Sequence, residues 1–424
     1  MAEQGNDRLL VDIDDQGRVS VSVWWQGGDQ PETVVGGAEM VWPLDAEAIE
    51  DLRWYLEDYL RHPYAVYSDR GQAVAAEIPR WGEALFRAVF GSGPALAAYA
   101  AVRAGGNRPE LVIQSTAASR LGLPWELLRD PQRGRPLVLD GFSLTRRLPA
   151  GDLLRPFPAG GDRLRVLMVI SRPSGQDDVG YQMIARPLLE RLDAVRGNVD
   201  LVVLRPPTLD RLHETLLEAA EAGKPFQIVH FDGHGVFGGG HTHAAGRDPL
   251  TFTGPAPQGI LVFEKPEGGP DHVEAGRVAQ VLAEGRVPVV VLNACQSGQI
   301  GSQVEAAVAT RLIKDGAASV VAMAFSVYAV AAAEFMAVFY ERLFAGDRIA
   351  DAMTAGRRRL ALADQRPSPK GRLPLQDWIV PVHYRRRDVS FPHLRIERAE
   401  GIPSLDKVLN ELRNQPDGED SSDG

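Results

Sequence analysis

From about residue 165 onward, short aliphatic runs alternate with stretches of helical periodicity, and this alternation constrains the fold more than any other feature of the chain. A strand of a parallel sheet is covered on both faces, so it reads as an almost continuous aliphatic run, and a helical crossover must lead to the next parallel strand. The pattern therefore predicts an α/β fold with a mostly parallel sheet sandwiched by helices. The predicted strands are 165–170, 200–204, 227–231, 260–263, 287–292 and 319–323, and the predicted helices are 181–196, 209–221, 273–283, 303–314, 329–344 and 349–364.

The first part of the chain is organised differently. Residues 9–13 and 19–24 alternate in the manner of strands around a turn at 14–17, which predicts a hairpin. Helical spacing follows at 45–60 and 78–90, and 110–113 returns to strand character. We therefore expect an α+β amino-terminal region, joined to the α/β part through a segment rich in proline and glycine at 149–161.

Charge and the amino terminus exclude several classes of protein. The 424 residues include 46 basic and 56 acidic ones, a net charge of −10, which argues against bulk binding of nucleic acid. The arginine runs 357–359 and 385–387 are accordingly expected to be solvated surface. Because the amino terminus has neither the basic start nor the apolar stretch of a signal peptide, we expect a cytoplasmic protein.

Residues 317–340 are nearly all apolar and are long enough to imitate a membrane span, which needs about 20 such residues. Ser326, Tyr328 and Glu334 interrupt the apolar run. Its β-branched beginning is typical of a strand, and its alanine-rich second part is typical of a helix. We interpret the segment as buried strand, turn and helix, with a transmembrane span as the alternative, and we expect no membrane partner.

Cys295 is the only cysteine of the chain. One cysteine cannot form an intrachain disulfide or a cysteine-based zinc site, which suits a reducing compartment. Cys295 follows the aliphatic run 287–292 and precedes small residues, while His234 follows the run 227–231 and lies between Gly233 and Gly235. Ligands and catalytic groups of open parallel sheets collect beyond the carboxyl ends of the strands.

A thiol and an imidazole at neighbouring strand ends can serve as nucleophile and general base. The backbone N–H groups of Gly235 and Cys295 could hold a developing oxyanion, so the arrangement predicts acyl transfer. A lone cysteine at a strand end is more often a small buried hydrophobe. The pairing with His234, 61 residues upstream (295 − 234), favours the nucleophile.

The segments around these two residues, 230–235 and 292–298, resemble the His and Cys boxes of CHAT-type caspase-like peptidases, from the clan of caspases, metacaspases, gingipains and separase. Segments 123–128, 259–264, 315–321 and 339–343, together with Trp378, are also similar to that family. The resemblance covers roughly 109–384. It implies a caspase-like fold, a Cys-His dyad of His234 and Cys295, and endopeptidase activity on protein substrates.

With this resemblance, four units are expected. Residues 1–108 form the α+β region of unassigned role, and 109–158 form a pseudo-caspase-like amino-terminal part of the CHAT region with its linker. Residues 159–395 form the peptidase core, and 396–424 form a short helix and an acidic disordered tail that begins near residue 414.

Two further groups of polar residues leave alternatives open. Asp232 lies two residues before His234, hence on the same strand face, and could bind a basic P1 side chain, or it could be a turn residue that bonds local backbone. His241 and His243 could bind zinc with His230 or His234. A His-x-His in a glycine-rich loop is more often only a loop, or here a lid at 238–248, so we expect no metal and no cofactor.

The leading hypothesis is a cysteine endopeptidase that a partner or ligand activates, with a weak preference for Arg or Lys at P1. The alternative is a catalytically silent caspase-like interaction module, and the presence of both dyad residues favours the enzyme. The resemblance implies a role in bacterial stress, antiviral defence or cell death. A chain with only five lysines among its 46 basic residues agrees with a bacterial source of high GC content.

Overall fold

A computed structural model describes residues 6–26, 30–91, 93–105, 108–149, 163–173, 199–238, 258–295 and 301–391. Most of the strands join one mixed sheet, and helices pack on it. The strands of that sheet are β1 (Arg8–Ile13), β2 (Arg18–Trp24), β3 (Glu32–Glu39), β4 (Glu110–Ser115), β7 (Ser143–Arg147), β8 (Leu164–Ile170), β9 (Val199–Val203), β10 (Ile228–Gly238), β11 (Gln258–Glu264), β12 (Pro270–Glu274), β13 (Val289–Cys295), β14 (Ser319–Met323) and β17 (Pro381–Arg385). Two short hairpins complete the strands, β5 (Arg129–Asp130) with β6 (Arg135–Pro136) and β15 (Gln365–Ser368) with β16 (Gly371–Pro374).

Five parallel strands form the centre of the sheet, in the order β9-β8-β10-β13-β14. β17 pairs with β14 in the antiparallel direction. The first half of β10 pairs with β8, and its second half pairs with β11. On the far side of β17 the sheet continues through β7, β4, β1, β2 and β3.

The predicted α/β fold class with a mostly parallel central sheet is confirmed. One predicted strand has the other direction: β11 is antiparallel to β10 and to β12. The sequence predicts no helix between these two strands, and a parallel neighbour that follows directly in the chain would need a crossover of that kind. The predicted helix at 181–196 and the tail after residue 391 lie outside the described residues.

The helices of the described chain have these bounds. They are α1 (Ala46–Glu57), α2 (Val66–Phe90), α3 (Gly93–Ala104), α4 (Ala118–Leu121), α5 (Leu209–Glu221), α6 (Ala275–Glu284), α7 (Gly301–Asp315), α8 (Ala329–Phe344) and α9 (Ile349–Leu362). Asp45 caps α1, since its side chain accepts a hydrogen bond from the Ala48 N–H at 2.8 Å. Thr208 caps α5 in the same way through the Arg211 N–H.

The amino-terminal hairpin is confirmed, with β1 and β2 paired around a turn at 14–17. The Asp14 carboxylate accepts from the backbone N–H groups of Gln16 and Arg18, and Gly17 has a φ of +84°, a left-handed conformation that favours glycine. β1 also pairs in parallel with β4, so the hairpin belongs to the large sheet. The division of the chain at residue 108 stays a prediction, and the sheet runs across it.

The apolar segment 317–340 contains β14 and most of α8, which confirms the interpretation as strand, turn and helix. Both elements are buried within the protein. Among the described residues no single helix is long and apolar enough to cross a membrane, although α2 and α3 pass that test when they are joined as one bent pair.

The expectation that the arginine runs are solvated surface is wrong for Arg357 and Arg385. Arg357 is fully buried, and its Nη2 lies 3.0 Å from Glu126 Oε1 and 2.7 Å from the Pro381 carbonyl oxygen. Arg385 is 6% exposed and contacts Glu110 at 2.6 Å. Neighbouring residues of a helix point in different directions, so Arg357 faces the interior while Arg358 is exposed.

Candidate active site

The two candidate dyad residues occupy paired positions at the carboxyl ends of adjacent parallel strands. His234 in β10 is the Cα partner of Cys295, the last residue of β13. Neighbouring strands are about 4.8 Å apart, so the register alone brings the two backbone positions next to each other. The His234 side chain is partly exposed. The segment 296–300 and the residues His241 and His243 lie outside the described part of the chain.

A side-chain hydrogen bond links β10 and β13 two residues before His234 and Cys295. Asp232 and Asn293 are also Cα partners, and the Asn293 Nδ2 donates to Asp232 Oδ1 at 2.9 Å. Both residues are 1% exposed. Because strand residues repeat with a period of two, these two positions share their sheet face with His234 and with the position of Cys295.

Arg172 contacts the second carboxylate oxygen of Asp232. It follows β8, and its Nη2 lies 2.9 Å from Asp232 Oδ2. The loop that carries Arg172 is itself held in place: the Ser171 N–H donates to the Asp232 carbonyl oxygen, and the Arg172 N–H donates to Glu264 Oε1 at 2.8 Å. Three strands, β8, β10 and β13, are thus joined through one buried carboxylate.

The environment of Asp232 bears on its predicted role. Burial raises the pKa of this carboxyl group, and the guanidinium of Arg172 and the amide of Asn293 act in the opposite direction. The carboxylate is buried and has two partners within the chain. A basic P1 side chain would therefore have to replace Arg172, whose side chain is 16% exposed.

His230 lies four residues before His234 on the same strand face and is fully buried. Its Nδ1 is 2.9 Å from the hydroxyl of Tyr340, and the two rings stack at 5.9 Å between centroids. Burial lowers the pKa of His230 to about 3, so the ring is neutral at physiological pH. The described part of the chain contains no group of three His, Cys, Asp or Glu residues that could hold a metal ion.

A contact from the amino-terminal region reaches the same edge of the sheet. The loop after β14 emerges at the carboxyl end of that strand, beside the end of β13. Its Ser326 N–H donates to Glu57 Oε1, at the end of α1, at 2.8 Å. Glu57 is 4% exposed, and Arg53 donates to its other oxygen at 2.9 Å. Burial raises the pKa of Glu57, while these two donors act to lower it.

Sequence reasoning assigned no role in the site to five residues that the structure places there: Arg172, Asn293, Glu57, Ser326 and Tyr340. A signal was present for Asn293. It lies two residues before Cys295 as Asp232 lies two before His234, so both pairs have the same separation of 61 residues. Two pairs of facing residues on the same two parallel strands must have the same separation in sequence, because the register of the strands is constant. Glu57 had no comparable signal, since it contacts a residue 269 positions away.

A family model described as "CHAT domain" matches residues 79–391, about three quarters of the chain. The chain belongs to the CHAT domain family. This agrees with the resemblance to caspase-like cysteine peptidases that the His and Cys boxes indicate. Glu57 lies before the first matched residue of the CHAT domain.

No curated protein matches the sequence. Among solved structures, this CHAT protein is similar to a chain from the Saccharomyces cerevisiae separase–securin complex, with 11% sequence identity and a TM-score of 0.34. The similarity covers 87% of this chain and 21% of the other, so the present chain spans about a fifth of that structure's chain.

Proposed function

We propose that this CHAT protein is a cysteine endopeptidase in which Cys295 is the nucleophile and His234 the general base. The observation that carries the proposal is the register of β10 and β13, which pairs His234 with Cys295 at the carboxyl ends of adjacent strands. The Asp232–Asn293 hydrogen bond supports it, because it holds the two strands in that register directly below the dyad.

The chemistry follows from the groups at these positions. His234 removes the proton from the Cys295 thiol, and the thiolate attacks the carbonyl carbon of the scissile peptide bond. The oxyanion that forms is held by the backbone N–H groups of Gly235 and Cys295. The protonated His234 then donates to the leaving amine, and water hydrolyses the thioester with His234 as the base. The substrate class is protein, and no cofactor takes part.

Asp232 serves this site as a positioning residue in our proposal. Its two partners tie β8 and β13 to β10, and its charge lies on the sheet face that carries His234. The preference for Arg or Lys at P1 requires a substrate that displaces Arg172 from Asp232. Another P1 preference leaves the Asp232–Arg172 pair intact.

The test is a cleavage-site profile on a cell lysate that compares the native protein with Cys295→Ala and His234→Ala. We expect cleavage by the native protein alone, with all three proteins equally folded by circular dichroism. Enrichment of Arg or Lys before the cut would support displacement of Arg172. If either variant still cleaves, the substituted residue is not required for catalysis and the proposed dyad is wrong.

The alternative function is a catalytically silent interaction module, and a separate measurement distinguishes it. A thiol-reactive peptide electrophile reports on Cys295 without competition, since the chain has no other cysteine. Labelling of the native protein, lost in Cys295→Ala and slowed in His234→Ala, supports the enzyme. A protein that neither labels nor cleaves, even with lysate from the source cells added as a supply of activators, supports the silent module.

A further inference from the structure

A cavity away from the proposed dyad lies between the beginnings of β4 and β7, the end of α8 and one face of α9. Its volume is about 520 Å³. Ligand sites of small organic molecules usually have volumes of about 300 to 1,000 Å³ and occur between structural units. Here the walls come from two parts of the chain, since Arg108 and Ser143 belong to the amino-terminal half and the α8 and α9 residues to the carboxyl-terminal half.

The lining of the cavity has an excess of positive charge. Four arginines line it, Arg108, Arg342, Arg358 and Arg359, against the two carboxylates of Asp347 and Asp351, a difference of +2. The whole chain has a net charge of −10, so this local sign is opposite to that of the protein. An excess of arginine in a concave site attracts anions.

The carboxylates nearby do not neutralise all of these arginines. Arg342 pairs with Asp347 at 2.5 Å, and Arg359 lies 3.7 Å from Glu334 behind the cavity wall. Asp351 is held by Arg348 at 2.9 Å, and Arg108 remains 4.0 Å from the same carboxylate. Arg358 is exposed and has no hydrogen bond or ion pair within the described residues. The planar guanidinium of Arg358 is therefore available to form two parallel hydrogen bonds to a phosphate or a carboxylate.

An independent observation at the same place is the hydroxyl of Ser143. The residue is 2% exposed and lines the cavity, and its Oγ is buried with no hydrogen-bond partner among the described residues. A buried hydroxyl without a partner is unfavourable, and such groups are rare in native proteins. A ligand oxygen in the cavity would supply the missing acceptor.

From these observations we propose that the cavity binds a small organic phosphate of nucleotide size. Phosphate suits both the guanidinium of Arg358 and the Ser143 hydroxyl, which would donate to its oxygens. The cavity is larger than an inorganic phosphate needs. Leu362, which is 85% exposed at the rim, offers an apolar surface for the organic part of the ligand. This site is distinct from the proposed dyad and does not depend on it.

The test is calorimetric titration of the full chain with ATP and with inorganic pyrophosphate at fixed ionic strength. We expect ATP to bind, and Arg358→Gln and Ser143→Ala to weaken that binding about tenfold, the loss expected for one hydrogen bond to a charged group. The matched control is Arg277→Gln, an exposed arginine of α6 without an ion pair in the described chain, which should leave the affinity unchanged. Tighter binding of ATP than of pyrophosphate supports recognition of the organic part.

Thermal unfolding distinguishes a ligand-binding role of Ser143 from a role in stabilising the fold. Because the Ser143 Oγ makes no hydrogen bond to the described residues, Ser143→Ala should not lower the midpoint of thermal unfolding, although it weakens ATP binding. Cys295→Ala should bind ATP as the native protein does, which keeps this result independent of proteolysis. The proposal is overturned if neither ATP nor pyrophosphate binds, if pyrophosphate binds as tightly as ATP, or if Arg277→Gln weakens binding as much as Arg358→Gln.

Discussion

Two of the clusters of buried charge in the described part of the chain differ in how far their side chains are exposed to solvent. The strand-end cluster, Asp232, Arg172 and Asn293, lies next to the proposed dyad, and the Arg172 side chain is 16% exposed. The seam cluster, Glu126, Arg146 and Arg357, joins the amino-terminal half to α9 and is at most 1% exposed.

In the seam cluster, Glu126 contacts both guanidinium groups. Arg146 forms two hydrogen bonds to its carboxylate, at 2.6 and 2.7 Å, and Arg357 forms one at 3.0 Å. The arginines also donate to backbone carbonyl oxygens of Leu121, Leu123 and Pro381. A buried group of this kind determines how two parts of a fold meet. The strand-end cluster adjoins a partly exposed histidine, and it is suited to position reacting groups.

The largest expected effect comes from Glu126→Ala. This change leaves two buried guanidinium groups without their carboxylate, and we expect it to lower the free energy of unfolding by about 3 to 5 kcal/mol. Denaturant unfolding measures the loss. As the control, Glu77→Ala removes an exposed pair with Arg80 and should cost less than about 1 kcal/mol. Equal losses in the two variants would show that the seam cluster does not hold the halves together.

Glu305 lies next to the seam cluster, and its environment makes the stability of the protein depend on pH. Its carboxyl group accepts from the Tyr384 hydroxyl at 3.2 Å, its Oε1 is buried without a partner, and burial raises its pKa from 4.5 to about 8. A raised folded-state pKa means that the protonated form is favoured in the fold, so stability is lost as the pH rises from about 4.5 to about 8. Glu305→Gln removes this loss, so its stability advantage over the native protein should grow as the pH rises through this range and level off above the folded-state pKa.

Unfolding midpoints measured across this pH range check the Glu305 prediction. The native protein and Glu305→Gln should converge at low pH and separate as the pH rises. A constant difference at every pH would contradict the raised pKa of Glu305.

Asp232→Asn tests the strand-end cluster. Asparagine keeps an oxygen for the Asn293 amide but removes the charge that holds Arg172, so we expect a stability loss of about 1 to 3 kcal/mol, smaller than for Glu126→Ala. Cleavage should fall through kcat more than through KM, since the change disturbs the position of β10 rather than a substrate contact. If Asp232→Asn loses as much stability as Glu126→Ala but still cleaves normally, then Asp232 stabilises the fold, as Glu126 does, and does not position the reacting groups.

Glu57→Ala tests the contact between α1 and the loop after β14, with the smallest expected effect. Loss of the acceptor should speed amide hydrogen exchange at Ser326 about fivefold, as expected for about 1 kcal/mol. Glu57→Gln retains an oxygen that can accept the same hydrogen bond and should exchange as the native protein does. If both variants exchange at the native rate, Glu57 does not hold this loop.

The sequence was sufficient for the central strands and for the placement of His234 and Cys295 at the ends of adjacent strands, because buried parallel strands are aliphatic runs whose ends can be located in the chain. It did not predict that β17 lies between β14 and β7, since sheet order depends on contacts far apart in the chain. The burial of Arg357 had a signal that we did not use. Arg357 is four residues after Met353 and three before Leu360, and both are buried on α9.

The central claim is that His234 and Cys295 form a dyad, and the pH dependence of Cys295 alkylation tests it most directly. The rate with iodoacetamide, measured on the native chain and on His234→Ala, reports the pKa of the single thiol. We predict half-maximal reactivity below about pH 8.5 in the native protein and a shift to about pH 8.5 in His234→Ala, the value of an unperturbed cysteine. The same profile in both proteins would contradict the dyad.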